Sequence, residues 1–174
     1  MGGQTSRTSP TTADIEYLKQ HTTYDKTTIT AWYRVFHRQC NKGKLSVKQF
    51  VNLFKNFFPG RNCDQFCEHV FRTFNTSRSG ELSFREFLIA IYVTSQGSQE
   101  EKLRWTFRLY DINGDGILTF EEVLEVLEAS TDLRGGDQYR KFPEELFMDL
   151  DSDGIGGLTE GQFVDNCLKV GEEV

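Results

Sequence analysis

The sequence predicts an all-α protein of four helix–loop–helix units in two pairs, with short strands pairing the loops. Three observations carry this. The pattern Gly-x-Leu-Ser/Thr occurs four times, at Gly43, Gly80, Gly116 and Gly156, with spacings of 37, 36 and 40 residues. A period of that size marks a repeated supersecondary unit. Three residues beyond each Ser or Thr stands Gln49, Glu86, Glu122 or Gln162, and Ser/Thr-x-x-Glu/Gln is a capping box that opens a helix. Each loop is also preceded by apolar residues at helical spacing: Trp32/Val35/Phe36, Val70/Phe71/Phe74, Leu103/Phe107/Tyr110 and Leu146/Phe147/Leu150.

In chain order, residues 1–22 read as a mobile, Ser/Thr-rich N-terminal segment. Residues 23–96 form the first pair of units and residues 97–174 the second. Leu45, Leu82, Leu118 and Leu158 each sit between a loop Gly and a capping Ser or Thr. They are expected at the centre of short strands that join the loops two by two.

The chain has 174 residues with 15 Phe, 6 Tyr and 2 Trp. That is enough apolar mass for a core without disulfide staples and too much for a disordered chain. Charge divides unevenly. Residues 1–98 carry 13 Lys and Arg against 7 Asp and Glu, and residues 99–174 carry 7 against 19. A basic half suits an anionic surface and an acidic half suits cations. No run approaches the length of a membrane span, and no apolar signal segment opens the chain. Cys40, Cys63, Cys67 and Cys167 form no C-x-x-C pair, which argues against disulfide scaffolds and zinc ribbons and for a reducing cytoplasm. His21, His37 and His69 show no ligand spacing. Neither a G-x-S-x-G elbow nor a phosphate loop occurs, so no enzyme and no nucleic-acid partner is expected.

The third loop carries the chemistry. Residues 111–122 match D-x-[DN]-x-[DN]-G-x5-E over their whole length, the pattern of an EF-hand calcium loop. Calcium takes six to eight hard oxygens, so side-chain oxygens at alternate positions suit it. Asp111, Asn113 and Asp115 supply these, Ile117 its backbone carbonyl, and Glu122 a bidentate carboxylate. Thr119 is a weaker candidate acting through water. Ca2+ is the expected cofactor, with Mg2+ its competitor at rest.

The other loops have lost ligands. The first places Arg38, Cys40, Lys42 and Gln49 at ligand positions and reads as a structural partner of the second. The second offers Asn75, Ser77, Ser79 and Glu86, with one charge among them, and reads as weak or empty. Two registers fit the fourth. Starting at Asp149 collects Asp149, Asp151, Asp153 and Glu160. Starting at Asp151 restores the strand Leu158 and the Thr159/Gln162 box, but puts neutral Gln162 at the bidentate position. Helix phase favours the second register, with Asp151 and Asp153 as weak ligands, and a distorted loop drawing on Asp149 stays open.

Met1-Gly2-Gly3-Gln4-Thr5-Ser6 fits the N-myristoylation pattern, with Gly2 as the acceptor. A single acyl chain binds membranes marginally, so the basic half would supply a second signal. With these features the chain resembles the neuronal calcium sensor family of recoverin- and frequenin-like EF-hand proteins. The resemblance runs from Gly2 to about Cys167. It rests on Ala31-Trp32-Tyr33, Cys40-x-x-Gly43, Phe57-Phe58-Pro59-Gly60, His69-Val70-Phe71-Arg72 and Glu101-Lys102-Leu103-Arg104-Trp105. It implies an N-myristoyl group, peripheral membrane association, and an apolar groove for an amphipathic helix of a target protein. The matching groove positions are Trp32, Phe36, Phe50, Phe58, Phe87 and Ile91. The expected function is a calcium sensor that regulates a target by exposing that groove. The alternative is a largely calcium-independent EF-hand adaptor, or a channel or enzyme regulatory subunit, that keeps one structural ion.

Overall fold

The structure, a computed structural model, describes residues 9–40, 43–55, 63–134, 147–151 and 154–172. Its elements are α1 (Thr12–His21), α2 (Lys26–Gln39), β1 (Lys44–Ser46), α3 (Val47–Lys55), α4 (Asp64–Phe74), β2 (Glu81–Ser83), α5 (Phe84–Gln96), α6 (Gln99–Tyr110), β3 (Ile117–Thr119), α7 (Phe120–Arg134), a helical stretch at 147–150 (α8), β4 (Gly157–Thr159) and α9 (Glu160–Glu172). Within the described residues this is four helix–loop–helix units, all-α apart from two small strand pairs. Phe58 lies outside the described residues, as do Gly2 and Asp153.

Each loop turns at the expected glycine. Gly43, Gly80, Gly116 and Gly156 have φ of 71°, 79°, 84° and 85°, a region that a residue without Cβ enters freely. The chain then runs through one strand into a helix whose first turn is closed by the predicted box. Ser46 N–H donates to Gln49 Oε1 (3.0 Å), Ser83 N–H to Glu86 Oε2 (2.9 Å), Thr119 N–H to Glu122 Oε2 (3.1 Å) and Thr159 N–H to Gln162 Oε1 (2.9 Å). β1 pairs antiparallel with β2, Leu45 opposite Leu82, and β3 with β4, Leu118 opposite Leu158. All four leucines are buried, so each strand pair pins two loops to one core.

One reading is corrected. The segment expected to be mobile over 1–22 is helical from Thr12 to His21 and packs on α2 and α5. Its start is a capping box that uses Asp rather than Glu: Asp14 accepts Thr11 N–H at 3.1 Å. Leu18 is fully buried, and Arg85 of α5 reaches Asp14 at 2.7 Å while its guanidinium lies over the Tyr17 ring. The two cores do not divide with the pairs. One core runs from Leu18 through Phe36, Phe50, Phe71 and Phe84 to Leu109 of α6 and Val126 of α7. The other joins Phe107, Leu118, Phe147, Leu158 and Phe163. α6 serves both, because Trp105 and Leu109 face the first core while Leu103 and Phe107 face the second.

The pairs join at Gly97-Ser98. A Cβ on Gly97 would stand 2.5 Å from the Val93 carbonyl oxygen and 3.0 Å from Val93 Cα. Both are main chain, so α5 or the joint itself must shift. Gly97→Ala is expected to destabilise by about 1–3 kcal/mol, the usual range for overpacking. Denaturant unfolding checks it. A variant equal to the parent would show that the joint has slack.

Candidate metal centre

The third loop lies between α6 and α7. Asp111 is buried at 7 % exposure and caps α6, its N–H donating to Phe107 O at 2.8 Å. Its carboxylate accepts Gly114 N–H at 2.8 Å and Gly116 N–H at 3.2 Å. Asn113 Oδ1 accepts Asp115 N–H at 2.8 Å, and Asp115 Oδ1 accepts Ile117 N–H at 2.8 Å. Glu122 closes the loop from the first turn of α7. Its Oε1 accepts Ile112 N–H (3.0 Å) and Asn113 N–H (3.2 Å), and its Oε2 accepts Thr119 N–H and the Thr119 hydroxyl. The predicted ligands thus belong to one hydrogen-bonded loop and share partners there. Among the described residues no three His, Cys, Asp or Glu side chains close around a single point. The carboxylates are engaged with the loop's own N–H groups. The donor set is three carboxylates, one amide oxygen and main-chain carbonyls, which is the hard-oxygen chemistry of calcium.

The second loop satisfies itself. Ser77 N–H donates to Glu86 Oε1 at 2.9 Å, Ser79 N–H to Asn75 Oδ1 at 3.2 Å, and the Ser79 hydroxyl to Glu81 O at 2.7 Å. Arg78 takes a left-handed φ of 53°, and its Nη2 comes within 3.1 Å of where a Cβ on Gly114 would be. Glu86 is desolvated, yet hydrogen bonds from Ser83 and Ser77 hold its carboxyl below the usual range. In the first loop the Cys40 thiol donates to Phe36 O at 2.9 Å, and burial pushes its pKa up to about 11.

The fourth loop takes the register that starts at Asp151. Asp149 lies within α8 and is exposed. Asp151 accepts Gly156 N–H at 2.8 Å and Ile155 N–H at 3.2 Å, and Leu158 faces Leu118. Burial of Leu158 and Phe163 sets that phase.

Of the positions assigned to a groove, Phe36 is 2 % and Phe50 6 % exposed. Here both are core rather than lining. Phe36 packs on Phe84 and Phe87, and Phe50 edge-on to Phe71 and Phe74. Trp32, Phe87 and Ile91 are half-buried, with Trp32 edge-on to Phe87. No described helix is long and apolar enough to cross a membrane.

One residue beside the site, quoted above only as the last of His69-Val70-Phe71-Arg72, was not read as serving the loop. Arg72 of α4 donates from Nη1 to Asp111 O at 2.6 Å and Ile112 O at 3.1 Å, and from Nη2 to Leu109 O at 2.7 Å. It lines a cleft of about 900 Å³ between the second and third loops, with Arg78, Arg108, Asp111 and Gly114. Nearby, His69 of α4 faces Glu125 of α7 at 3.9 Å. Burial first, and then the Arg72 charge, hold His69 below the usual imidazole range, against the pull of Glu125 and Glu68. Folding therefore disfavours the His69 proton. Its contribution is full above the unfolded pKa of about 6.5 and is lost as pH falls from there toward the folded value. Burial shifts His37 in the same direction. Stability is expected to fall between pH 7 and 5.5, and to fall less steeply in His69→Gln, by denaturant midpoint. Equal slopes would show that His69 carries none of it.

Four units of this geometry, two by two on short strands, define an EF-hand protein. The family profile described as the EF hand domain matches residues 102–130, which span the third unit. S-modulin of Aquarana catesbeiana is 31 % identical over 165 residues, 89 % of this chain and 82 % of that protein. Visinin of Gallus gallus is 31 % identical over 175 residues, 94 % and 91 % respectively. Recoverin of Homo sapiens is 29 % identical over 164 residues, 88 % and 82 %. The chain belongs to the neuronal calcium sensor family of EF-hand proteins.

Proposed function

We propose that this chain is a calcium sensor working chiefly through its third loop, with pair one as the target-binding half. Asp111, Asn113, Asp115 and Glu122 would hold the ion with the Ile117 carbonyl, Thr119 acting through water and Mg2+ occupying the loop at rest. The ion would supply a fixed double charge that draws Glu122 inward, and α7 with it. Asn75, Ser77, Ser79 and Glu86 of the second loop and Asp151 and Asp153 of the fourth are secondary sites at most. The half-buried Trp32, Phe87 and Ile91 face would dock an amphipathic helix of a target protein once Phe36 and Phe50 are uncovered. An N-myristoyl group on Gly2 and the basic N-terminal half would bring the chain to a membrane surface from the cytoplasm. The role is regulatory, not catalytic.

The observation that carries this is the third loop itself: a complete donor pattern, in phase with two packed helices, beside three loops that lack its charges. The adaptor reading has one observation in its favour, since the second loop is closed by its own hydrogen bonds and needs no cation to hold its shape. Calorimetric titration of calcium into metal-free protein, with a hydrophobic-surface dye read in parallel, separates the two. One site in the sensor range of about 10⁻⁷–10⁻⁵ M, with a rise in dye signal, supports the sensor. Uptake with no dye response leaves the adaptor, and two or more sites overturn the one-loop reading.

A further inference from the structure

We propose that Arg72 is a positioning residue for the third loop, a guanidinium supplied by pair one that holds the main chain around Asp111 where cation binding needs it. The proposal rests on the reading of that loop as the cation site. The last carbonyls of a helix have no partner within it. At the end of α6 that of Leu109, and just beyond it those of Asp111 and Ile112, point at one arginine, 37 to 40 residues away in sequence, and all three bonds lie at 3.1 Å or less. The fork is committed to them: Arg72 Nε is buried and has no partner among the described residues.

The consequence falls on Asp111. Its side chain is fixed by the N–H groups of Gly114 and Gly116, and its main chain by Arg72. The first ligand of the loop is therefore placed before any ion arrives, and binding loses less conformational freedom. The fourth loop is held differently. There Asn166 of α9, from the same unit, donates to Leu150 O at 2.7 Å. The third loop takes its support from the other pair. Arg72 also sits beside Phe71 and Phe74, which belong to the pair-one core. The support therefore links the cation site to the aromatic half, and linkage runs both ways. Lysine replaces it poorly, because an ammonium gathers its donors on one nitrogen while the guanidinium reaches these carbonyls from two.

The test is Arg72→Lys, which keeps the charge and removes the fork. Two readouts apply. Calcium affinity at the third loop, by calorimetry, is expected to fall three- to tenfold. Hydrogen exchange of metal-free protein is expected to speed at least tenfold over residues 111–119 relative to residues 99–104 at the start of α6. Unchanged affinity with unchanged exchange overturns the proposal. The exchange arm needs no calcium, so a parent protein that binds none would sink the sensor reading and leave Arg72 to be decided by exchange. Should the variant not fold, side-chain NMR of the unaltered protein decides. Slow rotation about Nε–Cζ, with separate Arg72 Nη signals, supports the fork. A single averaged signal overturns it.

Discussion

Glu122→Gln is expected to lose calcium at the third loop while keeping the fold. The loss should be on the order of 100-fold in affinity, about 2.7 kcal/mol. The reason for keeping the fold is on the same chain. Glu122 opens α7 by accepting from Thr119 N–H and its hydroxyl. The first and fourth loops do the same with a neutral amide: Gln49 accepts from Ser46, and Gln162 from Thr159, through one oxygen each. An amide oxygen is thus a sufficient cap in this loop geometry. What Gln cannot supply is the second charged oxygen that a divalent ion needs at this position. Calorimetry should show the site gone, and thermal unfolding of the metal-free variant should stay close to the parent. A variant that unfolds instead would show that the Oε1 bonds to Ile112 and Asn113 hold the loop together. A variant that still binds would place the ion elsewhere.

The loops were legible because each of their positions has one job. A left-handed turn asks for glycine, a paired strand for one buried leucine, and a helix start for a hydroxyl and an acceptor three residues on. These demands repeat in phase, so the register of the fourth loop could be argued from Leu158 and Thr159 against four well-spaced carboxylates. Burial of Leu158 at 1 % agrees. Four features escaped. α1 carries its cap as Thr11-Asp14 in a Ser/Thr-rich stretch, and only Leu18 is wholly buried, so its period is faint. α6 has two apolar faces, and a stripe read from Leu103/Phe107/Tyr110 hides the other one. Phe36 and Phe50 were placed in the groove by resemblance, and a resemblance marks an apolar face without saying what covers it. Phe36 and Phe50 read alike as lining and as core until their neighbours are known. Arg72 is the extreme case, since no local pattern places a helix end from the other half of the chain against it.

The decay of the second loop and the strength of the joint between pairs belong together. Its ligand positions now bond to one another, and the flanking residues of its incoming helix are spent on the other pair. Phe74 shows how much. It is 6 % exposed, packs edge-on to Phe50 of its own pair at 5.8 Å between ring centres, and lies 5.8 Å from Trp105 of α6. It precedes Asn75, the first residue of the second loop, so one ring ties that loop, the pair-one core and α6. Phe74→Ala is expected to destabilise by about 3–5 kcal/mol, the range for a buried Phe that leaves a cavity. The form of the loss is as telling as its size. With the shared core intact, the described halves should melt in one transition. With Phe74 gone, Trp105 loses its aromatic neighbour, and unfolding followed by Trp105 fluorescence in a Trp32→Phe background should separate from unfolding followed by circular dichroism. Coincident transitions with a loss below about 1 kcal/mol would mean that the pairs hold together without this ring.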